Sequence, residues 1–132
     1  MPYSQGRETI GSLQVLGALE DAVASAGQGA DDQVWYVPEL LRIKGEVLLQ
    51  QAADQSALAA EECFNQAAQM AREQGALFWE LRVALSVARL RVTQGRRHEA
   101  RAPLASVFDR FTEGFATADL QAARLLLEEL PP

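Results

Sequence analysis

WYVPELLRIKGEVLL (Trp35–Leu49) and FWELRVALSVARLRV (Phe78–Val92) are two versions of one segment, and their comparison decides the fold. Laying Trp35–Tyr36 over Phe78–Trp79, an offset of 43 residues, sets Leu40 on Val83, Leu41 on Ala84, Gly45 on Ala88 and Leu49 on Val92. Within each copy the apolar residues recur every three or four positions, the period of a buried helix face. The stretch after each copy repeats as well: Ala60, Phe64 and Ala67 match Ala100, Leu104 and Val107, at an offset of 40. The difference of three is assigned to a longer first turn around Ala53–Gln55. Each unit therefore reads as two antiparallel helices, and self-similarity at this period is the signature of a helical repeat.

Small residues stand where two helix axes come closest. Gly45 or Ala88 in the first helix of a pair leaves a dent, and Ala60 or Ala100 in the second lets the backbones approach. Phe64 or Leu104, one turn on, fills the gap between successive pairs, with Ala67 a turn later. Working outward, the periodic stretches between the glycines give six helices: about 7–26, 33–52, 56–74, 77–94, 97–111 and 117–130. Helix pairs then occupy about 33–75 and 77–112, between an N-terminal helix at about 7–26 and a closing helix at about 117–130. Pro38 is expected in a first turn, where its missing N–H is harmless. Gly75 supplies a left-handed stop, and Thr117 an N-cap. Gly11 and Gly17 either allow close packing or mark a weakly held first helix, and Pro103 should free the carbonyl of Glu99 and bend its helix.

The bulk properties agree with an all-α single domain. The 132 residues are 48% apolar but only 7% aromatic, which favours close-packed helices over strands. The net charge is −6, with 11 acids and 4 bases in residues 1–75 against 7 acids and 8 bases in 76–132. That excess disfavours nucleic acid and anionic membranes as partners. Cys63 is the only cysteine, so no intrachain disulfide can form. The opening MPYSQGRETIG lacks the basic start and apolar stretch expected of a signal peptide, and no apolar run approaches roughly 20 residues, so the expected address is the cytoplasm.

The spacing of small and large residues resembles the tetratricopeptide pattern, although the units exceed its roughly 34 residues. Longer strings sharpen this. The segment Trp35–Leu49, AREQGALFWELRVALSVARL (Ala71–Leu90), QGRRHEARAPLASVF (Gln94–Phe108) and FTEGFATADLQAARLLLEEL (Phe111–Leu130) are similar to one set of proteins. These are the tetratricopeptide-like C-terminal regions of bacterial multidomain signalling proteins, which carry nucleotide cyclase or transcription-regulator domains and a regulatory ATPase module. The resemblance implies an antiparallel helix-pair superhelix closed by the helix into which FTEGFATADL leads. The 132 residues hold no GxxxxGK[ST] phosphate loop, so those domains' activities are not carried over. Pro103 also precedes by a turn the place where the family tends to put a proline.

In such arrays the first helices of successive pairs line a concave groove. That implication places Glu39, Arg42, Glu46 and Gln50 beside Arg82 and Arg89, where forks and carboxylates could hold a peptide. A solvated face with ordinary ion pairs is the competing account. Arg82, Arg89, Arg91, Arg96, Arg97 and Arg101 form the one basic cluster, better explained by solvation and helix-end compensation than by phosphate binding. His98 lacks partners at metal-ligand spacing and reads as a surface residue; Cys63 reads as core. Trp35, Tyr36, Phe78 and Trp79 are expected to pack between pairs, or, if exposed, to anchor an interface. No catalytic set, cofactor or metal site is assembled by these residues. The expectation is a non-enzymatic protein-interaction or regulatory module binding a protein or peptide, with self-association into a homodimer invited by the open first helix. A small-ligand-sensing helical domain, and less favourably a nucleic-acid accessory, are the alternatives.

Overall fold

The computed structural model describes residues 14–25, 35–51 and 55–132. All regular structure among them is helical. Residues 14–25 are helical (α1), succeeded by α2 (Val37–Leu49), α3 (Ser56–Glu73), α4 (Leu77–Thr93), α5 (Arg97–Phe108) and α6 (Ala118–Glu129). Ile10, Gly11, Leu13, Ala26 and Ala53, at which the sequence pattern placed core and turn positions, lie outside the described residues. The chain divides into two compact units, Met1–Met70 and Ala71–Pro132, with the border inside α3.

In the first unit, Leu16 and Leu19 of α1 are buried with Val47 of α2, and Leu40, Ile43 and Leu48 pack around them. Glu20 on α1 approaches Lys44 on α2, Oε1 to Nζ, at 3.6 Å. Gly17 is exposed, and no described residue lies within 4 Å of where a Cβ would stand on it. Pro38 sits in the first turn of α2 and is buried. Between α2 and α3, a Cβ added to Gly45 would lie 2.4 Å from Phe64 Cε1. Phe64 therefore fills the dent inside its own pair, because its ring needs the space that a missing side chain leaves.

The second unit is an up-down-up arrangement. Leu81, Leu85 and Ala88 of α4, Ala100 and Leu104 of α5, and Leu120, Ala123, Leu127 and Leu130 around α6 form one buried cluster. Two glycine stops shape it. At the end of α3, Ala76 N–H donates to Ala71 O at 2.8 Å and Gly75 N–H to Arg72 O at 3.1 Å. At the end of α4, Arg96 N–H donates to Arg91 O at 2.8 Å and Gly95 N–H to Val92 O at 3.0 Å. Gly75 and Gly95 have φ of 66° and 76°, the left-handed conformation that this double bonding pattern requires.

Several expected ends differ, and α2 stops at Leu49 short of about 52. Helix α5 stops at Phe108, not near Phe111, because the chain tightens into successive turns, Arg110 N–H to Val107 O and Phe111 N–H to Phe108 O, both at 3.1 Å. Thr117 occupies the N-cap place of α6 in extended conformation, yet its side chain makes no capping bond.

Candidate functional site

The α2 side chains expected in a groove form a ladder along one helix face. Arg42 Nε donates to Glu39 Oε2 at 3.0 Å and Nη2 to Glu39 Oε1 at 2.6 Å. Its Nη1 lies 4.0 Å from Glu46 Oε1. The spacings i,i+3 and i,i+4 put all three on neighbouring turns, so the ladder is a local consequence of sequence. Gln50 caps α2 and is exposed. These four residues belong to the first unit and Arg82 and Arg89 to the second. Arg82 reaches Asp119 of α6, Nε to Oδ2, at 3.8 Å, and its guanidinium lies 6.0 Å from the centroid of the Trp79 ring. Arg89 is exposed on α4. The packing residues Gly45, Ala60, Phe64, Ala67, Ala88, Ala100 and Leu104 are all buried.

Most of the arginine cluster is engaged within the second unit. Pro103 has no N–H to give to the carbonyl of Glu99, and Arg91 Nη1 donates to that carbonyl instead, at 3.0 Å. Arg96 holds the Glu99 carboxylate, Nε to Oε2 at 2.7 Å and Nη2 to Oε1 at 3.2 Å. The hydrogen bonds from Arg96 hold that carboxyl below its ordinary pKa, with its charge and those of His98 and Arg91 adding to the effect. From α5, Arg97 Nη2 donates to Glu129 O at 2.9 Å and Arg101 Nη1 to Leu127 O. Two cations thus sit on the last carbonyls of α6, where the helix dipole favours positive charge. Donors used this way are closed to a phosphate.

Two features went unforeseen in the sequence. Glu80 on α4 is only 4% exposed, and Arg110 after α5 donates to it, Nη1 to Oε2, at 2.7 Å. The signal existed: Glu80 precedes Ala84 by one turn on an apolar stripe, where a carboxylate demands a cation. Beside this pair opens a cleft of about 360 Å³, lined by Leu77, Phe78, Arg110, Phe111, Thr112, Glu113, Gly114, Thr117 and Leu120. The α5–α6 connection that forms one side of it includes Gly114 in the left-handed conformation, with φ of 80°.

The aromatic residues opening the two repeats do not all pack inward. Trp35 is 59% exposed and Phe78 is 41% exposed. Each meets its chain neighbour edge-on: Tyr36 at 5.8 Å and Trp79 at 6.4 Å between ring centroids. Phe115 is 47% exposed, with Phe108 at 5.9 Å. His98 is exposed. Cys63 is buried, and burial pushes its thiol pKa up, with Lys44 opposing and Glu62 and Glu20 reinforcing the shift. Among the described residues no group of three or more His, Cys, Asp or Glu side chains is placed to hold a metal ion, and no helix is long and apolar enough to cross a membrane. Compared with protein-family models, curated proteins and solved structures, the chain gives no match.

Proposed function

We propose that this chain is a non-enzymatic protein-interaction or regulatory module of the tetratricopeptide-like kind, acting as the helical tails of bacterial signalling regulators do. The observation that carries the reading is the set of exposed aromatic side chains, Trp35, Phe78 and Phe115, on a helical scaffold. Large aromatics held at a surface are typical anchors of protein contacts. Arg91, Arg96, Arg97 and Arg101 each bind a carbonyl or carboxylate of their own unit. This argues for a protein partner over a nucleic acid. The internal repeat and the glycine-stopped helix pairs support the superhelical form of the proposal.

The test is affinity capture with the full chain, then mass spectrometry of the retained material. Two variants accompany it, one with Arg42, Arg82 and Arg89 changed to alanine, the other carrying Phe78→Ala and Phe115→Ala. A protein retained by the wild type and lost by either variant supports the reading. Retention of a small metabolite or nucleic acid, with no protein retained, overturns it.

A further inference from the structure

Given a protein-interaction function, on which this inference rests, the cleft between the start of α4 and the α5–α6 connection is a specific docking point. We propose that it receives a partner segment in which a bulky apolar residue stands next to a carboxylate-bearing one. Leu77, Phe78, Phe111 and Leu120 form the apolar wall, and a volume of about 360 Å³ suits one large side chain with its adjoining backbone. Phe78 is exposed and gains burial when the space is filled.

Arg110 selects the neighbour. Its Nη1 is bound to the buried carboxylate of Glu80, which fixes the guanidinium at the cleft while the side chain stays 53% exposed. Its Nε and Nη2 have no hydrogen-bond partner among the described residues. A planar fork already ordered by one carboxylate loses little further freedom on binding a second, and a carboxylate matches its remaining donors best. Glu113 also lines the cleft and forms no ion pair with Arg110. It offsets the long-range field, so the acid is chosen by contact with Arg110 and a run of several acids is repelled.

The experiment is a titration of the isotope-labelled full chain, monitored by amide chemical shifts. The probe is a blocked tetrapeptide containing glutamate and then phenylalanine, compared with versions carrying glutamine for the glutamate or alanine for the phenylalanine. Saturable shifts are expected at Phe78, Thr112, Gly114 and Leu120. The glutamine peptide is expected to bind about tenfold more weakly, the loss of one charge-assisted contact. Phe78→Ala, at an exposed position, should weaken the glutamate peptide without changing the fold. Arg110→Gln together with Glu80→Gln removes the buried charge as well as the fork, and should make the two phenylalanine peptides bind equally. Equal affinity of both for the wild type, shifts elsewhere in the chain, or no saturable shift would each overturn the proposal. If a captured protein partner is retained equally by Phe78→Ala, the interaction function stands and this cleft is not its site.

Discussion

Gly45 is where two opposing effects can be weighed. A glycine inside a helix costs about 1 kcal/mol relative to alanine, so Gly45→Ala would ordinarily stabilise α2. Here the added Cβ would lie 2.4, 2.8 and 2.9 Å from three carbons of the Phe64 ring. Phe64 is fully buried, so the ring has nowhere to go. Overpacking of this kind costs about 1–3 kcal/mol, which outweighs the gain in propensity. Urea denaturation should therefore show Gly45→Ala destabilised in the wild-type background and neutral or stabilised when Phe64→Leu makes room. A more stable Gly45→Ala single variant would show that the ring does not depend on the dent. Cys63 gives a second residue-level expectation. Its thiol is buried and its pKa raised by burial, so thiolate is scarce near neutral pH. Alkylation by iodoacetamide should be much slower in the folded chain than in urea, and equal rates would contradict the burial.

At the scale of single helices, α5 shows how one residue reorganises its neighbours. Pro103 is exposed inside the helix, so replacing it leaves no cavity. Pro103→Ala supplies the missing N–H to Glu99 O and should stabilise the chain by about 1–3 kcal/mol, the usual cost of an interior proline. The bond from Arg91 to that carbonyl then becomes redundant. Arg91→Met should accordingly destabilise the wild type more than the Pro103→Ala variant, and equal effects in the two backgrounds would show that Arg91 does not compensate for the proline. The start of the same helix carries a pH dependence. Glu99 has its folded pKa lowered, chiefly by hydrogen bonds from Arg96. A lowered carboxylate pKa means stability present above the unfolded pKa and lost as pH falls through the folded one. The melting-temperature difference between wild type and Glu99→Gln should be small but positive at neutral pH and vanish in acid below the ordinary carboxylate range. A difference that persists there would assign the effect to something other than ionisation.

For the molecule taken whole, the helices and their glycine stops were legible because period and backbone conformation are local properties. Gly75 and Gly95 punctuate the pattern where a left-handed residue is needed. The end of α5 was not legible, since Phe111 continues the apolar pattern past the last helical residue, Phe108, by packing on the same core. Local charge pairs such as Glu39–Arg42 arise from spacing, whereas Arg97 and Arg101 bind α6 carbonyls 32 and 26 residues away. The cleft was invisible for a related reason: its walls come from two helix starts and a loop that no period describes. The Glu80–Arg110 pair tests how much such long-range ties contribute. Glu80 is buried while Arg110 is half-exposed, so water can partly replace the arginine but cannot easily reach the carboxylate. Breaking a fully buried pair from one side costs about 3–5 kcal/mol, and access of water on the arginine side brings the expectation for Arg110→Ala to about 1–3 kcal/mol. Glu80→Gln should cost less, because it removes the buried charge and keeps an acceptor for Arg110. The two changes together should then be less harmful than the sum of the single ones, since without a charge at position 80 the arginine has less to compensate. Urea is the denaturant to use, because guanidinium salt would screen the interaction being measured. If the two free-energy changes simply add, the pair contributes no coupling, and burial of Glu80 is sustained by the packing around it.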